Sequence, residues 1–222
     1  MEQLRELLGV GRGVTAVMGS GGKTSLLYQL AEELRPCGTV LLATTTHIMR
    51  PPQYPFAGTA EELAAALAAH GAACAGSYTP EGKLTAPAFA GWQQAADFVL
   101  VEADGSRRRP LKAHALHEPV IPPCTRQVIC VVGLSGLHRP VSEVVHRSEL
   151  FCPLVGCTPE DEATPERVAR ALVQEHLADT YFLNQAESGS VLQDAKIIAS
   201  HLKSQGFSVV AGSQREKRYY IL

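Results

Sequence analysis

The 222-residue chain has no run of about 18 consecutive apolar residues, the length a helix needs to cross a bilayer. None of its six cysteines is spaced Cys-x-x-Cys, which removes the commonest zinc and dithiol signatures. Cys37, Cys74, Cys124, Cys130, Cys152 and Cys157 therefore read as reduced thiols of a cytoplasmic protein, most of them filling the core. Excess charge is also lacking. A net charge of -2 argues against nucleic-acid binding by bulk electrostatics. There is no internal repeat and no low-complexity tract, and the prolines at 51–55 and 119–123 mark loops within the domain. Residues 1–8 read as a short amphipathic helix without the apolar core of a signal peptide. What remains is a chain that is 45% hydrophobic, of a length suited to one domain spanning residues 1–222.

The densest signal is Gly13-Val14-Thr15-Ala16-Val17-Met18-Gly19-Ser20-Gly21-Gly22-Lys23-Thr24-Ser25. An apolar run stops at glycines, a lysine and two hydroxyls. Leu26, Leu27, Leu30, Ala31 and Leu34 then recur at the spacing of one helical face. The pattern is strand, loop, helix. Glycines keep side chains out of the loop, so backbone N–H groups can surround a phosphate that the helix N-terminus also favours. In this arrangement Gly19, Ser20, Gly21, Gly22, Lys23, Thr24 and Ser25 bind nucleotide. Lys23 meets the β- and γ-phosphates, and Thr24 offers its hydroxyl to Mg²⁺. The long phosphate-loop pattern needs a glycine at position 17, where Val17 stands; the shorter Gly-x-x-Gly-Lys-Thr spacing resembles the ATP loop of Mur-type ligases.

Strands are expected at 13–19, 39–45, 97–102, 127–133, 180–184 and 207–211, and helices at 23–35, 60–70, 164–178 and 187–205. A hairpin insertion is expected within 72–87 and a short helix at 88–96. Alternation of this kind predicts an α/β fold, a phosphate-loop type of three-layer sandwich around a mostly parallel sheet. Ligands of such sheets collect at the carboxyl ends of the strands. Five of the strands end in polar clusters. After the loop come Thr44-Thr45-Thr46-His47, then Glu102-Ala103-Asp104, Gly133-Leu134-Ser135-Gly136 and Asn184-Gln185-Ala186-Glu187.

Glu102 and Asp104 close an apolar strand in the manner of a metal-holding carboxylate pair, able to hold Mg²⁺ or orient a water. Thr45, Thr46 and His47 are candidates for the metal or the γ-phosphate, against a plain reading as strand content and a surface histidine. Arg107, Arg108, Arg109 and Lys112 form a basic run that can neutralise phosphate or hold a second anionic substrate; a solvated loop is the alternative. His114 and His117 have an i, i+3 spacing, but no third ligand accompanies them, so they are not counted as a metal site.

Taken together, the glycine loop, Thr44-Thr45-Thr46-His47-Ile48, Glu102-Ala103-Asp104-Gly105-Ser106, Arg109-Pro110-Leu111-Lys112, Glu118-Pro119-Val120-Ile121-Pro122 and His146-Arg147 resemble the YqeC family. The resemblance implies a nucleotide-binding accessory protein of selenium-dependent molybdenum hydroxylases. It also implies slow Mg²⁺-dependent hydrolysis of ATP or GTP with Lys23, Glu102 and Asp104 as the reacting set. The partner would be the hydroxylase or its cofactor-maturation proteins, with no nucleic acid and no membrane. It brings His146 and Arg147 into the candidate set. Where the family tends towards an Asn-Lys-x-Asp-like stretch, this chain has Asn184-Gln185-Ala186-Glu187. Asn184 and Glu187 can still meet a base, while Gln185 lacks the lysine charge, and the choice between adenine and guanine stays open. Two other functions fit the same residues: a small-molecule kinase or Mur-like ligase, and a nucleotide-dependent cofactor-delivery module that does not hydrolyse.

Overall fold

A computed structural model describes residues 3–222, so the first two residues of the expected N-terminal helix lie outside the described residues. The chain packs as two compact units. One comprises Met1–Met18, Thr24–Gly105 and Pro119–Val128; the other comprises Gly19–Lys23, Ser106–Glu118 and Ile129–Leu222.

The first unit runs in chain order through helix α1 (Leu4–Leu7), strand β1 (Gly13–Gly19, its last residue in the other unit), helix α2 (Lys23–Leu34) and strands β2 (Val40–Thr44) and β3 (Phe56–Ala57). Helix α3 (Ala60–His70) and strands β4 (Ala72–Ala75), β5 (Ser77–Tyr78), β6 (Leu84–Thr85) and β7 (Phe98–Glu102) complete it. Its sheet is wholly parallel, in the order β1-β7-β2-β4-β3. β2, β4 and β7 are buried at every residue, as expected of parallel strands covered on both faces. One core cluster joins Leu41, Val99 and Val101 to Leu63 and Leu67 of α3 and to Trp92. α3 starts where Thr59 accepts a hydrogen bond from the Glu62 amide and stops at Gly71 in the left-handed conformation. Asp97 secures the entry of β7: its carboxylate accepts from the Thr39 amide at 2.8 Å and from Arg12, and its carbonyl accepts from the Gly13 amide at 2.8 Å.

The second unit contains β8 (Leu111–Lys112), β9 (Thr125–Gly133, which begins in the first unit), α4 (Val141–Val144), β10 (Val145–His146) and α5 (Ser148–Val155). It continues through α6 (Pro165–Glu175), β11 (Thr180–Asn184), α7 (Gly189–Ser204), β12 (Ser208–Ser213) and β13 (Arg218–Ile221). Here the order is β13-β12-β11-β9, parallel except for the antiparallel edge strand β13. β8 and β10 pair in parallel as a separate two-residue ribbon. Thr164 caps α6 and Pro165 opens it, where a missing N–H costs nothing.

The α/β class and the mostly parallel pairing match the sequence reading. Several elements differ from it. Residues 72–75, expected as one arm of a hairpin, form the parallel strand β4; only Ser77–Tyr78 and Leu84–Thr85 pair as a hairpin. Four small residues between Gly71 and Gly76 leave that choice to the neighbouring strands. The helix expected at 88–96 is reduced to a single tight turn, Trp92–Gln94. β3, β8, α4, β10, α5 and β13 were not foreseen: all but α5 are four residues or shorter, and Pro153 interrupts the pattern of α5. All six cysteines are free thiols, but only Cys74, Cys130 and Cys152 are buried, fewer than the expected majority. No helix among the described residues is long and apolar enough to cross a membrane.

Leu63 is fully buried and Leu116 fully exposed. Leu63→Ala is expected to cost about 2–5 kcal/mol in urea denaturation, and Leu116→Ala about 0.5 kcal/mol or less.

Candidate functional site

In the first unit, parallel register sets the end of β7 beside two other strand ends. Glu102 lies opposite Val17 of β1 and opposite Thr44 of β2. Its carbonyl accepts from the Thr45 amide at 3.2 Å and from the Thr44 hydroxyl at 2.9 Å. Its side chain is engaged separately: Thr24 Oγ1, on the first turn of α2, donates to Glu102 Oε2 at 3.2 Å. The hydroxyl and carboxylate singled out from the sequence, 78 residues apart, are therefore in direct contact. Asp104, two residues further on, is fully buried. The segment that follows is clipped back onto the strand end, with the Val120 amide donating to the Ala103 carbonyl at 2.9 Å and Thr45 Oγ1 donating to the Val120 carbonyl at 2.6 Å. Thr45 is thus a strut, and the Thr46 amide is held by the Thr44 hydroxyl at 3.0 Å. His47 is exposed, and no hydrogen bond among the described residues joins it to Thr24.

The donor set fits Mg²⁺ better than a metal caged by protein. No group of three or more His, Cys, Asp and Glu side chains capable of holding a metal occurs among the described residues. A magnesium ion keeps several waters and takes one or two protein oxygens plus phosphate oxygens. Thr24 and Glu102 could supply those protein oxygens, and the ion would neutralise charge on the phosphates.

In the second unit, the loop 19–23 is packed by backbone. The Ser20 amide donates to the Val131 carbonyl at 2.8 Å, and its hydroxyl donates to the Pro110 carbonyl at 2.9 Å. Lys23, 5% exposed, donates from Nζ to the Gly19 carbonyl at 2.7 Å. Gly21 and Gly22 have φ of +85° and +133°. A Cβ at Gly21 would come within 2.2 Å of Gly133 Cα, and one at Gly22 within 2.4 Å of Asn184 Nδ2. Only glycine meets both constraints at these positions. Ser25, the third residue of α2, is exposed.

Asn184 and Gly133 are register partners at the ends of β11 and β9. Asn184 Nδ2 donates to the Gly21 carbonyl and to Gln214 Oε1, both at 2.8 Å, so this side chain braces the loop. Gln185, in the left-handed region, accepts at Oε1 from the Ser135 amide at 3.3 Å. Glu187 accepts from Ser213 Oγ at 3.1 Å and pairs with Arg215. Gln214, Pro110 and Gly133 carried no signal in the sequence as contributors to the loop. Gln214 acts through its side-chain Oε1, Pro110 through its carbonyl and Gly133 through a missing Cβ.

A third group surrounds Glu118. Lys112 Nζ lies 3.0 Å from one carboxylate oxygen and Arg147 Nε 2.5 Å from the other, with the Lys112 side chain 1% exposed. His146 is the register partner of Lys112. Burial and the charges of Lys112 and Arg147 push the His146 imidazole below its ordinary value, Glu118 opposing and Arg107 adding. The basic run divides: Arg107 and Arg108 are exposed, whereas Arg109 donates to the Val145 carbonyl at 3.0 Å and to the Ser142 carbonyl. The two histidines at i, i+3 do not converge. His114 is buried against Glu175 at 2.8 Å, and His117 lies 3.4 Å from Arg147 Nη2.

The sequence profile described as YqeC protein matches residues 15–149. The chain belongs to the YqeC family. It is 40% identical over 159 residues to a protein of Escherichia coli (strain K12) described as "Uncharacterized protein YqeC", a match covering 66% of this chain. The matched part spans about 62% of the length of that relative. No solved structure matches the chain. The family match covers the loop, the Thr24–Glu102 contact, Asp104 and the Lys112–Glu118–Arg147 group, and ends before Asn184 and Glu187.

Burial raises the Glu118 pKa, but hydrogen bonds and charge from Lys112 and Arg147 outweigh it and hold the carboxyl below its ordinary value of 4.5. A depressed carboxylate stabilises the fold above the unfolded-state value and loses that contribution as pH falls through the folded-state value. Stability should therefore decline below about pH 4.5, and the Glu118→Gln variant should show a shallower acid decline. At neutral pH the same variant strands the buried Lys112 charge and should lose about 3–5 kcal/mol in urea denaturation.

Proposed function

We propose that this YqeC-family chain binds a Mg²⁺-nucleoside triphosphate through the loop Gly19–Ser25. The observation that carries the reading is the 3.2 Å contact between the Thr24 hydroxyl and the Glu102 carboxylate at the start of the helix that follows the loop. In this reading Gly19, Ser20, Gly21 and Gly22 leave room for phosphate oxygens at backbone N–H groups, and Lys23 supplies positive charge. Thr24 and Glu102 are the magnesium ligands, and Asp104 orients water. In this reading hydrolysis is slow and a partner completes the site. The role as an accessory factor of a selenium-dependent molybdenum hydroxylase rests on the family resemblance. A second reading, transfer of a group from the nucleotide to a small anionic acceptor, is favoured by the cation group around Glu118, whose Lys112 follows two residues after the Pro110 carbonyl that braces Ser20.

With Mg²⁺-nucleotide at 100 times its dissociation constant, binding should stabilise the protein by about 2.7 kcal/mol. That gain should vanish in Lys23→Ala and lose its Mg²⁺ dependence in Glu102→Gln. Absence of any thermal shift with ATP or GTP in the unaltered protein would sink the proposal.

Base preference follows from Asn184 and Glu187, each of which already has protein partners. A pocket discriminates strongly when a polar group reserved for one base would be stranded by the other. With both side chains occupied, competition titrations should show ATP and GTP within about tenfold, or 1.4 kcal/mol. A hundredfold preference for GTP would show that Glu187 leaves Arg215 to grip guanine.

A further inference from the structure

The end of α5 brings two thiols together. We propose that Cys152 and Cys157 form a dithiol site that a low-molecular-weight disulfide, such as glutathione disulfide, oxidises to an internal disulfide.

Backbone geometry is the first argument. The Cys152 carbonyl accepts from the Gly156 amide at 2.9 Å and from the Cys157 amide at 3.1 Å, and Gly156 lies in the left-handed region at φ +70°. This is a helix stop of the Schellman type, in which the two residues joined by the longer closing bond commonly carry side chains in contact. Here those residues are the two cysteines. The 3.1 Å bond between them keeps their Cα atoms within about 7 Å. That is inside the reach of a disulfide. The two thiols are hydrogen-bonded to each other. The turn is braced on both sides. Arg170 Nη1 donates to the Val155 carbonyl at 3.1 Å, and Asp161 Oδ2 accepts from the Thr158 amide at 2.7 Å and from its hydroxyl at 3.1 Å.

Exposure and charge set the order of reaction. Cys152 is 8% exposed, whereas Cys157 is half-buried. Burial, the hydrogen bond with Cys157 and the negative charges of Cys157, Glu160 and Asp161 push the Cys152 thiol up to about 11. A thiolate is the species that attacks a disulfide, so Cys157 reacts first. Its thiolate attacks one sulfur of glutathione disulfide. That S–S bond breaks, a bond between Cys157 and glutathione forms, and one glutathione thiolate leaves. Capping Cys157 removes the hydrogen bond and the charge that it imposes on Cys152. Cys152 then gives its proton to water and attacks the Cys157 sulfur, and the second glutathione thiolate leaves. Two protein thiols are oxidised and one glutathione disulfide is reduced to two thiols.

The sequence makes the test direct. Trypsin cuts after Arg147 and Arg167, so peptide 148–167 holds Cys152 and Cys157 and no other cysteine. The folded protein is incubated with glutathione disulfide near pH 8, quenched with acid, alkylated and digested, and the peptide is weighed. It should be lighter than the reduced peptide by two hydrogen atoms, with neither alkylating reagent nor glutathione attached. Cys152→Ser should stop with glutathione on Cys157. Cys157→Ser, which leaves the buried thiol, should take up glutathione about tenfold more slowly than Cys152→Ser. The unaltered protein decides the matter should either variant fail to fold. A peptide with both thiols still alkylated overturns the proposal, as does one that stops at the glutathione adduct or is joined to another cysteine. Equal reactivity of the two folded variants overturns it too.

Discussion

Parallel register at the end of β7 is the constraint on which the first unit turns. Glu102 pairs with Thr44 on one side and Val17 on the other, so its backbone is saturated by the Thr44 hydroxyl and Thr45 amide. These backbone bonds do not involve the carboxylate. The carboxylate instead accepts from Thr24, a residue the sequence places immediately after the loop lysine. A one-residue slip of β7 would send Glu102 to the opposite face of the sheet and remove the contact. The buried aliphatic residues of β2 and β7 prevent that slip, because either neighbour would then lose packing on both faces.

The loop in the second unit depends on absence of side chains. Gly21 approaches Gly133, and Gly22 approaches Asn184, at distances that exclude a Cβ. This close packing converts a flexible tripeptide into a fixed one. The Pro110 carbonyl and the Asn184 amide complete the brace from two different segments. Asn184 thus contributes to loop shape, and Glu187 is tied to the turn between β12 and β13.

The group around Glu118 shows the opposite strategy, in which charge rather than close packing fixes position. Burying a lysine is expensive unless a carboxylate meets it, and here one carboxylate serves two cations. The arrangement ties the segment after β8 to the residue after β10 and leaves His146 in a positive environment.

Periodicity made the main elements legible. β1, β11 and the caps at Thr164 and Gly71 fall where runs of apolar residues and turn chemistry put them, since those signals depend on neighbours within a few residues. The glycine loop, Thr24 and Glu102 were legible for the same reason: each sits at the junction of two local patterns. What sequence alone could not decide was which distant groups meet. Residues 72–75 are four small side chains that fit a hairpin or a parallel strand, and the edge offered by β2 settles the matter. His114 and His117 share a helical spacing without a helix, so Glu175 takes one and Arg147 lies beside the other. Arg107, Arg108 and Arg109 read as one basic run, yet only Arg109 finds carbonyls within reach. Local pattern dictates where the backbone turns and which face is apolar; pairing of polar side chains across 30 or more residues follows from the tertiary approach of strands, which no short window contains.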